Sequence, residues 1–192
     1  MKESPISILI CGVGGQGTIL ARKIICEAFF NSGYDVKASE VHGMAQRGGS
    51  VVTHFRAGED VASPLIEDGQ ADIILAFEPL EALRFLPKLK RHGQVIVNSQ
   101  KIMPTSVLIG EFTYPTDIFN KIQTATDKIK IIDALDIATK AGNTKVVNVV
   151  LIGVLAKMLS VSKELWLKAV AASVPLKYQE LNIKAFELGY NI

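Results

Sequence analysis

Apolar runs of strand length alternate with amphipathic stretches along the first two-thirds of this chain. Residues 6–11 are almost wholly apolar and rich in isoleucine, the pattern of a central parallel strand covered on both faces. Beyond the following glycines, Leu20, Ile24 and Ala28 share one helical face with Ala21, Ile25 and Phe29. That pattern stops at Asn31-Ser32-Gly33 and predicts a helix of about four turns. Residues 35–41 and 49–58 predict a second and a third strand, joined by the polar, glycine-rich stretch "HGMAQRGG". Residues 72–77 predict another buried strand, and Pro79 stands where a first helical turn tolerates proline. Residues 93–99 repeat the strand signal, and a less regular middle with Pro104 and Pro115 follows. The stretch "KIKIIDAL" predicts a last strand, with a helix over about residues 135–141. From Thr144 onward the signals are helical only. An apolar helix begins near Val146, a second is opened by Ser162 and closed before Pro175, and a third ends at Gly189.

This alternation predicts an α/β fold: a Rossmann-like, mostly parallel sheet with flanking helices and a helical C-terminal extension. The 192 residues suit one domain, with residues 1–143 as the α/β core and 144–192 as the extension. A composition of 48% hydrophobic and 21% charged residues argues against disorder. The formal charge of +2 is spread evenly, so no basic stripe marks a nucleic acid partner. Cys11 and Cys26 lie in apolar runs with no C-x-x-C spacing, which suits a reducing compartment and offers no zinc or iron–sulfur ligands. His42, His54 and His92 lack metal-ligand spacing, so no metal site is expected. The N-terminal apolar run is too short for a signal peptide, giving a cytoplasmic expectation. The tract from Val146 contains Asn148 and Lys157 and falls short of the roughly 20 residues a membrane span needs. It predicts a helix either buried in this chain or covered by a partner.

Gly12, Gly14 and Gly17 fit the G-x-G-x-x-G pattern between the first strand and the first helix. Such a turn aims unpaired amides and the positive end of a helix dipole at an anion. Gly14 would let a ligand approach the backbone, and Gly17 would let the helix pack on the sheet. The other reading is a tight turn with no ligand. A P-loop would need lysine where Thr18 stands, which argues against ATP or GTP hydrolysis. Glu40 lies roughly where a dinucleotide site keeps its ribose-binding acid. In the second glycine stretch, His42, Gln46 and Arg47 beside Gly48 and Gly49 offer donors for an anion or carbonyl. The plainer reading is a solvated hairpin. Glu78 and Glu81 straddle a helix start, where the dipole stabilises acids, and no nucleophile with a base partner is visible. The residues therefore predict binding without a complete catalytic set.

Taken in order, "GVGGQGTILAR", "SEVHGMAQRGGSVVTHFR", "EDGQADIILAFEPLEALRFLPKL" and "VPLKYQELNIKAFELG" resemble the gamma-type domain of the 2-oxoacid:ferredoxin oxidoreductases. The likeness covers most of the chain and is best to the small beta subunit of the indolepyruvate branch. It implies a subunit of a heteromeric enzyme that oxidatively decarboxylates arylpyruvates, uses coenzyme A as acyl acceptor and passes electrons to ferredoxin. Thiamine diphosphate and the iron–sulfur clusters would belong to the large partner subunit, and no catalytic residue to this chain. The resemblance further implies a coenzyme A pyrophosphate site at Gly12, Gly14, Gly15, Gln16 and Gly17, with His42, Gln46, Arg47, Gly48, Gly49 and Ser50 as the second wall. Arg47 would face either the ligand or the partner. Within the family, a gamma subunit serving pyruvate, 2-oxoglutarate or a branched-chain oxoacid stands as the alternative. From other classes stand a free-standing NAD(P)-binding enzyme using Glu40 and a nucleotide-sensing module.

Overall fold

The computed structural model describes residues 4–43 and 48–192. The apolar run at the start forms β1 (Ile6–Val13), followed by α1 (Thr18–Phe30), β2 (Asp35–His42) and β3 (Ser50–Gly58). Next come β4 (Ala71–Ala76), α2 (Pro79–Phe85) and β5 (Leu89–Asn98), then α3 (Thr105–Leu108), α4 (Ile118–Ala125) and β6 (Ile129–Ile132). The chain finishes with α5 (Ala134–Ala141), α6 (Val147–Ala156), α7 (Lys163–Ser173) and α8 (Gln179–Tyr190). The strands form one sheet in the order β2-β3-β1-β4-β5-β6. β1, β4, β5 and β6 are mutually parallel, and β3 is antiparallel to both β1 and β2, so β2 runs with β1. The sheet is therefore mostly parallel, with one reversed strand.

Both faces of β1 are buried, which is why its sequence shows no alternation. Ile8 and Ile10 point into the layer that holds α1 and α5 to α8, and Leu9 and Cys11 into the layer of α2 and α4. Burial pushes the Cys11 thiol well above its ordinary pKa, and the carboxylates of Glu81 and Glu78 add to the effect.

The apolar tract from Val146 is core: every residue from 148 to 156 is buried. The partner-covered reading of this helix gives way to burial within the chain, because α1, α5, α7 and α8 already pack around it. α6 and α8 touch backbone to backbone. A Cβ on Gly153 would stand 2.2 Å from the Phe186 carbonyl oxygen, and one on Gly189 would stand 2.0 Å from that of Val150. Gly189 lies inside α8, which runs on to Tyr190; it is a contact glycine rather than the helix stop that the sequence predicts. Nearby, Trp166 is fully buried, edge-on to Phe29 and stacked on Phe186.

Two more boundaries differ from expectation. The irregular middle holds α3 and α4, and α4 is anchored by Ile118 and Ile122 one turn apart among exposed polar neighbours. β5 starts at Leu89, before the predicted start at residue 93, through an irregularity in its pairing with β4 at which His92 takes φ 69°.

His54, on β3, accepts a hydrogen bond at Nδ1 from the Ile66 N–H at 3.1 Å, which requires the unprotonated ring. Burial, then the Lys88 charge, lowers its pKa below the ordinary 6.5. The folded state thus resists the proton that the unfolded chain accepts. The resulting stabilisation is fully present above the unfolded value and is lost as pH falls through 6.5 toward the folded value. Urea denaturation midpoints of the parent are expected to fall between about pH 7 and about pH 5, with a shallower slope in His54→Asn. Equal slopes would remove His54 from the pH response.

Candidate functional site

The glycines after β1 emerge at the carboxyl edge of the sheet, where α/β folds bind ligands. Gln16 shapes their turn from within. Its Oε1 accepts the Val13 N–H at 2.7 Å and its Nε2 donates to the Phe77 carbonyl at 2.9 Å, tying the loop to the end of β4. Gly12 sits behind the turn, where a Cβ would approach Gln16 Oε1 to 2.8 Å and Phe77 Cβ to 2.9 Å. The side chain of Gln16 is therefore an internal brace of the turn, with both ends of its amide engaged, whereas the resemblance implies a place for it in the coenzyme A site.

Gly15 and Gly17 take φ of 101° and 81°, the left-handed region open to glycine. Gly17 is the N-cap of α1 and supplies no side-chain cap, so the N–H groups of the first turn have no partner within the helix and face outward. Gly17 also packs against Asn148, whose Nδ2 donates to its carbonyl at 3.2 Å. The close approach expected between α1 and the sheet at Gly17 is instead an approach to α6.

The opposite wall is the β2–β3 hairpin. Because β2 runs with β1, the connection between β2 and β3 reaches the same edge as the glycine turn. The two are bonded: the Gly14 N–H donates to the Gly49 carbonyl at 2.9 Å. Gly14, Gly15, Gly17 and Thr18 on one side and His42, Gly43 and Val51 on the other line a cleft of about 600 Å³. Gly48 turns the chain at φ 78°. The Ser50 hydroxyl is engaged by the buried carboxylate of Glu81, which also pairs with Arg84 at 3.1 Å, so Ser50 holds the hairpin to α2. Gln46 and Arg47 lie outside the described residues.

Glu40 lies on β2 but is not free to read a ribose. Its carboxylate binds His42 Nε2 at 2.7 Å, accepts from Thr53 Oγ1 at 3.0 Å and faces Arg22 Nε at 3.8 Å. In the dinucleotide-binding order the second strand lies beside the first; here β3 takes that place. Both facts remove the acid that a nicotinamide site needs.

Glu78 and Glu81 do more than answer a helix dipole. Glu78 caps α2 by accepting the Glu81 N–H at 3.1 Å, and accepts the Tyr114 hydroxyl at 2.5 Å. Burial, helped by this carboxylate, raises the Tyr114 pKa, so the phenol stays protonated. The contribution of Asn148, 131 residues from Gly17, is missed by local reading. Its one sequence signal is a polar side chain within an otherwise apolar helix. Among the described residues no group of three or more His, Cys, Asp or Glu is placed to hold a metal ion, and no helix is long and apolar enough to cross a membrane.

The sequence profile of the pyruvate ferredoxin/flavodoxin oxidoreductase family matches residues 7–192. Indolepyruvate oxidoreductase subunit IorB of Thermococcus kodakarensis is 44% identical, over 98% of this chain and 95% of its own. Among solved structures, the gamma subunit of a keto/oxoacid ferredoxin oxidoreductase from Geobacter sulfurreducens aligns with TM-score 0.69 and 28% identity, over 97% of this chain and 96% of that one. A chain of the 2-oxoglutarate:ferredoxin oxidoreductase of Magnetococcus marinus, solved with 2-oxoglutarate, coenzyme A and succinyl-CoA bound, shares the fold at TM-score 0.76 and 17% identity. The match covers 99% of this chain and 31% of that one.

Proposed function

From the premise that this chain belongs to the pyruvate ferredoxin/flavodoxin oxidoreductase family, we propose that it is the small subunit of a ferredoxin-dependent oxidoreductase that converts indolepyruvate and other arylpyruvates to their acyl-CoA products. The observation that carries this reading is the 44% identity to an indolepyruvate oxidoreductase subunit over nearly the whole of both chains. A larger subunit is the partner, and it carries the thiamine diphosphate and the iron–sulfur clusters. Those groups supply decarboxylation and electron transfer to ferredoxin. This chain supplies a shaped, anion-receptive wall, and a cytoplasmic location accords with its two free cysteines.

The ligand of that wall is coenzyme A, bound through its pyrophosphate. Three features of the cleft fit such a group: first-turn amides without a helical partner, left-handed glycines that keep side chains out of the way, and the exposed edge of His42 opposite them. The first-turn amides of α1 beside Gly15 and Gly17 would take the phosphates, with His42 facing them, while Gly14, its N–H held by Gly49, leaves room for the ligand to approach the backbone. Gln16 holds the turn in shape, and the Ser50–Glu81 bond holds the hairpin to α2.

The test has two parts. Affinity isolation of the native chain is expected to bring a large oxidoreductase subunit with it, and the complex to reduce ferredoxin with indolepyruvate and coenzyme A faster than with pyruvate, 2-oxoglutarate or a branched-chain oxoacid. A preference for one of the last three moves the chain to another branch of the family. Calorimetric titration of the complex with coenzyme A is expected to show binding; its absence there overturns the ligand assignment.

A further inference from the structure

We infer that Glu40 is a positioning residue that fixes His42 at the mouth of the cleft, so that binding of a phosphorylated ligand there takes up a proton. This rests on the reading of the cleft as the coenzyme A site. Glu40 occupies a strand position from which a carboxylate could meet a ligand directly, yet its side chain is only 11% exposed and faces three groups of this chain. The hydroxyl of Thr53 bonds the Oε2 side of the carboxylate, with the guanidinium of Arg22 an ion-pair neighbour 3.8 Å away, leaving Oε1 for His42 Nε2 at 2.7 Å. The imidazole, half exposed, then forms part of the cleft lining.

That pairing determines the chemistry of the ring. A carboxylate can only accept, so Nε2 carries a proton and the neutral ring keeps its lone pair on Nδ1. An uncharged His42 held this way offers a phosphate oxygen an acceptor where a donor is needed. Once Nδ1 takes a proton from solvent, the ring is an imidazolium between two anions, donating to Glu40 through Nε2 and to the ligand through Nδ1. No bond other than N–H forms, and the proton comes from the buffer. Among the described residues, the charged groups placed against the ring are Glu40 from its own strand and, behind Glu40, Arg22 from α1; β3 contributes the neutral hydroxyl of Thr53. The ligand's negative charge then drives the uptake.

The experiment is titration calorimetry of the complex with coenzyme A in two buffers of different ionisation heat, repeated with inorganic pyrophosphate. The parent is expected to take up a substantial fraction of one proton per ligand. Glu40→Gln is expected to abolish the uptake and weaken binding about tenfold, because a glutamine amide can donate to Nε2 and leave Nδ1 protonated in the neutral ring. His42→Asn keeps a side chain that can bond Glu40 and is expected to lose the uptake as well, which guards against a folding defect in the first variant. A merely structural Glu40 would alter the melting temperature without changing the proton count. Binding with no proton uptake in the parent, or uptake unchanged in both variants, overturns this inference and leaves the ligand reading intact. No binding of either ligand overturns both.

Discussion

Gly189→Ala is expected to lower the stability of this chain by about 2 kcal/mol or more, although alanine is the better helix former. The added methyl would lie 2.0 Å from the Val150 carbonyl oxygen and 2.9 Å from its carbon, both backbone atoms of a buried helix. Such a clash cannot be relieved by turning a side chain. α8 must move off α6, which loosens the stacked contact of Phe186 with Trp166. Overpacking of this kind costs about 3 kcal/mol, and the gain in helix propensity offsets about 1 kcal/mol of that. The measurement is the urea midpoint at an unchanged slope. A midpoint equal to that of the parent would mean that the two helices separate freely, contrary to their close packing.

Gly17→Ala is expected to weaken coenzyme A binding tenfold or more while leaving the chain folded. Two causes add. A residue with a Cβ at φ 81° costs about 1 kcal/mol or more, and its methyl would meet Asn148 Nδ2 at 2.6 Å, displacing the side chain that bonds the Gly17 carbonyl. The first turn of α1 then rotates away from the position in which its amides face the cleft. Gly15→Ala separates the two causes, because its φ is 101° but nothing lies within 4 Å of the added methyl. Affinity by calorimetry and melting temperature are to be read side by side for both variants. Equal losses of affinity would mean that backbone strain alone matters and that Asn148 plays no part in shaping the cleft.

The strand and helix order is legible in the sequence, since buried parallel strands appear as unbroken apolar runs and Ser162 marks its helix by an accepted bond from the Leu165 N–H. Pairing is less legible. The stretch between residues 35 and 58 announces two strands and a polar connection, but periodicity says nothing of which strand lies beside β1. β3 fills that place. The site divides in the same way. Glycines beside a helix start identify the turn, whereas the direction of the Gln16 side chain depends on the Phe77 carbonyl, 61 residues away. A helix apolar on every side but for one residue, as α6 is apart from Asn148, has the same sequence signature whether its own chain or another covers it. α3 and α4 are too short to establish a period, and only the burial of Ile118 and Ile122 reveals the face of α4.

The bond from Gly14 to Gly49 and the two bonds of the Gln16 side chain also bear on time. A ligand reaching this cleft meets a glycine wall whose shape is already made, so its capture need not wait for that wall to rearrange. Differences among phosphorylated ligands are then carried chiefly by how fast they leave.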